Sequence, residues 1–90
     1  MKKAIVTVVG HDRVGIIHMV SAILSECGVN ILDISQTVLQ EYFTMIMLVD
    51  VSGANLSFGD LKRRLEEGGT PMGLSIRIQH EDIFNAMHTV

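Results

Sequence analysis

Three adjacent polar side chains that could bind a small molecule lie in the stretch from Val9 to Ile17. His11, Asp12 and Arg13 offer an imidazole, a carboxylate and a guanidinium between two glycines. An apolar, β-like run ends here and an amphipathic helix begins, which places free backbone N–H groups beside these side chains. Such N–H groups bind carboxylate or phosphate, and the Asp12 carboxylate could accept from an ammonium group. One site could thus hold both ends of an amino acid.

A purely structural interpretation of this loop stays open. Asp12 could serve only as the N-cap of the helix, and Gly15 could serve only to permit close helix–sheet contact. The glycines do not form a dinucleotide-binding fingerprint, because Gly10 and Gly15 are five positions apart and no third glycine follows at the required spacing. The candidate ligand-binding residues of the loop are Gly10, His11, Asp12, Arg13, Val14, Gly15 and Ile16.

A second candidate ligand-binding segment is Asn30-Ile31, which follows the predicted helix. The Asn30 amide could bind a ligand, or Asn30 could simply occupy a turn, where asparagine tolerates unusual dihedral angles. The two segments lie at opposite ends of one helix, so a single subunit cannot easily bring them together. Two subunits related by a twofold axis can.

The remaining reactive side chains form no convincing catalytic set. His11 and His18 are seven positions apart and His80 and His88 are eight apart, and neither spacing matches a compact metal-ligand pair. Cys27 falls on the apolar helix face, which is typical of an inert buried thiol. We therefore predict no catalytic residues, no metal site and no cofactor, and a protein that is not an enzyme. An interface enzyme using His11 with Asp12 is the remote alternative.

The composition excludes several classes of function. Ninety residues predict one domain, spanning 1–90. The net charge of −3 without a basic stripe argues against direct nucleic-acid binding. No apolar run approaches the roughly 20 residues of a membrane span. A single cysteine suits a reducing compartment, so the sequence predicts a cytoplasmic protein without membrane contact.

Hydrophobic periodicity predicts six elements and a tail. The β-branched first strand is continuous enough for a central strand, and a short connection at Glu41-Tyr42 implies a hairpin. Gly68-Gly69 is predicted to end the second helix. The predicted elements are a strand at Lys3–Val9, a helix at Val14–Cys27, strands at Ile31–Gln40 and Phe43–Val51, a helix at Leu56–Glu67, a strand at Met72–Gln79, and a short helical tail within 80–90.

This order predicts an α+β fold, a ferredoxin-like βαββαβ sandwich with a four-stranded antiparallel sheet and two helices on one face. The alternation then leaves Ile31, Leu39, Ile46 and Leu48 on the other face of the sheet. A soluble monomer rarely exposes this much contiguous apolar surface to water. The sequence therefore predicts a homodimer or a higher homo-oligomer.

The segments His11–Ile17 and Gly28–Ile34 resemble the ACT domain family, whose pattern here runs Asp-Arg-Pro-Gly-Leu-Leu, a helix, then Gly-Val-Asn-Ile. The chain looks like single-domain members of the family and is similar to one module of the glycine cleavage system transcriptional repressor. The resemblance implies a regulatory module that binds an amino acid at a dimer interface. It also implies that Asp12, Gly15 and Asn30 line the ligand site. Val14 departs from the pattern, since the family often has proline there.

Two functions follow as hypotheses. The first is a regulatory small-molecule binding module that acts as a homodimer, holds an amino acid or similar metabolite at the subunit interface, and signals to a regulated protein partner. The alternative is a ligand-independent interaction or dimerisation module. The 80–90 tail is a candidate contact for the partner or the second subunit.

Overall fold

The computed structural model describes residues 2–11 and 14–83, and its most β-branched segment forms the middle of the sheet. Strand β1 pairs antiparallel with strands β3 and β4, while β2 pairs with β3, which gives the order β2-β3-β1-β4. This arrangement confirms the predicted ferredoxin-like fold. The elements are β1 (Lys3–Gly10), α1 (Ile16–Glu26), β2 (Asn30–Leu39), β3 (Tyr42–Asp50), α2 (Phe58–Gly69), a 3-10 turn (Thr70–Met72) and β4 (Ser75–His80).

The hydrophobic core lies between the sheet and the two helices. Alternate residues of β1 and β3 point towards the helices, because successive side chains of a strand face opposite ways. Residues at helical spacing on α1 and α2 meet them and complete one continuous core cluster. Cys27 is 1% exposed in this cluster, as its place on the apolar helix face predicts. The fully or almost fully buried side chains include Val6, Val8, Ile16, Val20, Leu24, Met45, Met47, Leu61 and Leu65.

Strand β2 contains a bulge that simple alternation did not predict. Ile31 pairs with Val49 and Asp33 pairs with Leu48, so Leu32 is an extra residue in the ladder. A single extra residue moves the side chains before it to the opposite face of the sheet. The prediction that Ile31 lies on the open face is therefore wrong, since Ile31 packs partly buried against the core.

The glycine pair near the end of α2 does not end the helix, contrary to the prediction. Helix α2 runs through both residues, and Pro71 lies in the 3-10 turn that follows. A Cβ atom on Gly68 would lie 2.6 Å from Cδ1 of Ile23, and one on Gly69 would lie 2.8 Å from Cδ1 of Ile76. These two glycines let α2 approach α1 and β4 closely, which is a packing role.

The predicted C-terminal helix falls partly outside the described residues. His80 belongs to β4, and its ring stacks on Phe58 with centroids 3.9 Å apart. Residues 81–83 have helical conformation. Residues 84–90, which carry the rest of the predicted helix, lie outside the described part of the chain.

Gly28 satisfies two constraints at the end of α1. Its φ is +75°, which is the left-handed region, and a Cβ there would lie 2.7 Å from the carbonyl oxygen of Gly53. Gly73 has a similar φ of +69°, but a Cβ there would meet no atom within 4 Å beyond its immediate chain neighbours. The two glycines therefore share a left-handed backbone, but only Gly28 lies against the backbone of another turn.

We expect Gly28→Ala to lower the free energy of unfolding by about 3 kcal/mol, because left-handed strain and overpacking add together. Gly73→Ala is the matched control and meets the strain alone, which predicts a loss of about 1 kcal/mol. Urea denaturation of both variants measures the difference. Equal losses would show that the contact with Gly53 adds nothing.

Candidate functional site

The β1–α1 loop begins where the sheet ends. Gly10 is the last residue of β1 and pairs with Phe43 of β3. The exposed ring of His11 follows, with its centroid 4.8 Å from that of Tyr42 and the planes tilted by 44°. Asp12 and Arg13, the two charged candidates of the loop, lie outside the described residues. The β2–β3 hairpin therefore supports the first polar residue of the loop through an aromatic contact.

Helix α1 starts with a glycine cap and without a described side-chain cap. Gly15 occupies the N-cap position with φ +76°, and its carbonyl oxygen accepts the N–H of Met19 at 3.0 Å. The prediction that Asp12 is the N-cap is therefore wrong, because the helix begins at Ile16, directly after Gly15. The N–H groups of the first helical turn have no partner within the helix, an arrangement that suits an anionic group.

The apolar residues at this helix start divide into one buried and two exposed. Ile16 is fully buried in the core, so only its backbone N–H can face a ligand. Val14 is 77% exposed and Ile17 is 37% exposed, so both present apolar surface beside the loop. The loop therefore combines backbone donors with an apolar border.

Asn30 and Ile31 open strand β2 at the other end of α1. Asn30 is exposed and pairs with Asp50, whereas Ile31 faces the helices. The turn before them is held by backbone contacts, with the Val29 N–H donating to the Leu24 carbonyl at 2.9 Å. Of this pair, only Asn30 offers a polar side chain to a ligand.

The two candidate segments lie at opposite ends of the sheet. Gly10 is level with Phe43 and Val38, while Asn30 is level with Asp50 and Lys3. Lys3 and Gly10 are seven residues apart on β1, a separation of about 23 Å along the strand. The structure does not bring the loop and Asn30 together within one chain.

Sequence reasoning missed two features. Tyr42 begins β3 and contacts the loop, whereas the pattern placed it in a connection. Counting the Phe43–Val51 alternation back by one residue would have put Tyr42 on the open face.

The second feature is a cleft of about 420 Å³ between α2 and β4, bordered by Lys62, Glu66 and Arg77. Its polar residues come from distant segments, so no local motif marks it.

Within residues 2–11 and 14–83, His, Cys, Asp and Glu side chains form no group of three or more that could hold a metal ion. No helix among the described residues has the length and apolar character needed to cross a membrane. The described residues of the two segments offer a ligand the first-turn N–H groups of α1, the His11 ring and the Asn30 amide.

The sheet order, with both helices on one face, defines a ferredoxin-like α+β domain. The sequence model of the ACT domain matches residues 2–79. A UPF0237 protein of Clostridium acetobutylicum is 59% identical over 88 residues, which cover 98% of this chain and 99% of that relative. The chain therefore belongs to the ACT domain family, a family of regulatory ligand-binding modules.

Solved structures agree with this assignment. An ACT domain protein from Streptococcus pneumoniae is 47% identical with a TM-score of 0.81, and the match covers 92% of this chain and 93% of that one. A putative glycine cleavage system transcriptional repressor is 26% identical with a TM-score of 0.75. The match covers 88% of this chain and 45% of the repressor, so this chain corresponds to about half of that protein. Both resemblances seen in the sequence are confirmed.

Asp50, which pairs with Asn30, carries a solvated but hydrogen-bonded carboxylate. It accepts from the Ser52 hydroxyl and from the Ser52 backbone N–H, the latter at 2.9 Å. These two hydrogen bonds favour the charged form and hold the pKa of Asp50 below its ordinary value of 3.8, with a smaller contribution from Lys3. The turn after β3 is thus strongest when Asp50 is ionised.

A folded-state pKa below the unfolded one adds stability above the unfolded pKa, and this stability is lost as the pH falls through the folded pKa. We expect Asp50→Asn to lower stability at pH 7 and to flatten the loss that the wild type shows below about pH 4. Ser52→Ala removes the hydroxyl donor and keeps the backbone N–H donor. Its stability at pH 7 should therefore lie between that of the wild type and that of Asp50→Asn. Urea midpoints at several pH values measure this. Parallel acid profiles for wild type and Asp50→Asn would contradict it.

Proposed function

We propose that this chain is a regulatory module that binds an amino acid, or a similar small metabolite, between two copies of itself. The observation that carries the proposal is the placement of the β1–α1 loop and Asn30 at opposite ends of one sheet. Within one chain, the loop lacks the Asn30 amide, which lies at the other end of the sheet. A second copy in the reverse orientation supplies the missing half.

Strand β2 is the edge along which such a second copy would pair. It pairs with β3 on one side only, so its outer N–H and C=O groups are open to another strand. On the helix side, Ile34 is 37% exposed and Val38 is 51% exposed. These two side chains form an apolar border on the edge strand that pairing would bury.

A half-turn about an axis perpendicular to the sheet places β2 antiparallel to β2 of the second copy. This operation reverses the direction of the strand, so it brings the second copy's Asn30 to the same end of the joint sheet as the β1–α1 loop. Two equivalent sites arise in this way, because such an interface is isologous. Each site takes its loop from one copy and its amide from the other.

The groups at this joint site match the two charged ends of an amino acid. The N–H groups at the start of α1 suit the carboxylate. The Asn30 amide can both donate and accept. The family resemblance implies that Asp12 also lines the ligand site, where its carboxylate would accept from the ammonium group.

Regulation follows from the shared site. A ligand can shift an equilibrium only by its differential affinity for two states. A metabolite held by both copies binds the pair and not the separated chains, so its concentration sets the assembled fraction. A protein partner that recognises the pair would then respond to the metabolite.

The second candidate is a ligand-independent interaction module in the same family. The observation that favours it is Val14, whose apolar side chain is 77% exposed where the family often has proline. Proline restricts the backbone dihedral φ, so valine makes the loop less preorganised for a ligand. An exposed apolar side chain at a loop is also suited to contact with another protein.

Isothermal titration calorimetry of the assembled protein against each of the twenty amino acids separates the two candidates. We expect saturable binding of at least one, with a loss of tenfold or more in Asp12→Ala and in Asn30→Ala, because each removes a charged or polar contact worth about 1.5 kcal/mol. Glu67→Ala, an exposed change on α2, is the control and should bind as wild type. Titrations that show no heat of binding with a folded, paired protein would refute the amino-acid-binding proposal. They would favour the ligand-independent interaction module.

A further inference from the structure

We propose that the open face of the sheet, opposite the helices, is a second self-association surface. It takes a second copy of this chain stacked face to face after a half-turn about an axis parallel to the strands. This interface is separate from the β2 edge and goes beyond the proposed function. It needs no ligand.

The middle of the open face is apolar and uncovered. Val9 is 39% exposed and Ile46 is 40% exposed, and the half-buried Ile5 and Leu48 lie beside them in the same pairing ladder. A depression of about 110 Å³ lies among Ile5, Ile46 and Leu48. Helices cover the other face only, so this surface stays in contact with water in a single chain.

The charges of the open face are divided between its two halves. Strand alternation and the β2 bulge place Asp33 of β2 and Asp50 of β3 on this face. The same alternation places Lys3 of β1 and Arg77 of β4 there. Among the described strands, these are the acidic and basic residues of the face. The β2–β3 half is therefore acidic and the β1–β4 half is basic.

A half-turn parallel to the strands exchanges these halves. It puts β3 over β1 and β2 over β4 of the second copy, since the order is β2-β3-β1-β4. Lys3 and Asp50 share one row of the sheet, so Lys3 of each copy lies over Asp50 of the other copy. Stacked sheets lie about 10 Å apart and cross at about 30°, which long side chains can span.

The second charged pair and the apolar middle match under the same operation. Asp33 is level with Gln79, and Arg77 lies two residues along β4, about 7 Å away, within reach of a long guanidinium side chain. Ile5 lies over Leu48 of the second copy, because these two residues also share a row. Apolar groups therefore meet apolar groups while each acid meets a base.

The other in-plane half-turn gives the opposite result. An axis across the strands places each strand over its own counterpart, so the acidic half covers the acidic half. Like charges brought together at an interface oppose association. The charge distribution therefore selects the axis parallel to the strands.

Charge reversal tests this interface through the molar mass in sedimentation equilibrium. We expect Asp33→Arg and Arg77→Asp each to halve the mass of the wild-type assembly, because each places like charges opposite each other twice. The protein is studied without added metabolite, where the proposed β2 pairing is weakest, and the step is from two chains to one. Pairing at the β2 edge as well would extend the stacked pairs into an open series of chains, because the two half-turn axes do not meet. The readout involves no ligand, so a failed amino-acid titration leaves it unaffected.

Mixing supplies the decisive control. An equimolar mixture of Asp33→Arg chains and Arg77→Asp chains restores both acid–base pairs across a mixed interface, so we expect the wild-type mass to return. The double variant D33R/R77D restores them within one kind of chain and should also have the wild-type mass. Glu67→Arg on the helix side is the matched reversal and should change nothing. A monomeric wild type, single variants with unchanged mass, or a mixture or double variant that stays at half mass would overturn the proposal.

Discussion

Two helices can cover only one face of a four-stranded sheet, and this limit decides which surfaces of the molecule remain open. The helices bury alternate residues of β1 and β3, where the core is continuous. They leave the opposite face bare, and Ile34 and Val38 of the edge strand β2 stay partly exposed on the helix side. Burial of apolar area stabilises a protein by roughly 25 cal/mol per Å². Both uncovered regions therefore carry apolar area whose burial would favour association.

The same limit explains why a ligand site would be shared. In one chain, the β1–α1 loop and Asn30 are separated by the length of the sheet. A second copy that pairs antiparallel along β2 would bring its own Asn30 to the end of the sheet where the first copy has its β1–α1 loop. This pairing uses the outer edge of β2, which has no strand beside it in the single chain. The unassembled chain then offers an anion-binding helix start, and the second copy adds an amide. Assembly and ligand binding become one equilibrium in the proposed function.

The two proposed self-association surfaces differ in what would specify them. Pairing at the β2 edge depends on backbone groups and an apolar border, so side-chain charge contributes little to it. Stacking of the open faces depends on the division of Asp33 and Asp50 from Lys3 and Arg77. Apolar contact alone is non-directional, whereas charge placement selects one symmetry axis. The open face thus carries both the driving force and its orientation.

The sequence by itself determined the order of elements, the ferredoxin-like fold and most of the core, because alternation and helical spacing are local signals that long-range packing reinforces here. Val20 and Leu24 lie where their helical spacing placed them, and Val6 and Val8 lie in the central strand that the β-branched run predicted. The candidate residues of the loop and Asn30 were also visible, since they are contiguous motifs. Only the tertiary structure decided the rest. The bulge at Leu32 moved Ile31 to the core, and close packing carried α2 through Gly68 and Gly69, because both depend on neighbours distant in the chain. The division of charge on the open face became visible only once the strands were paired in order, since its four residues come from four different strands.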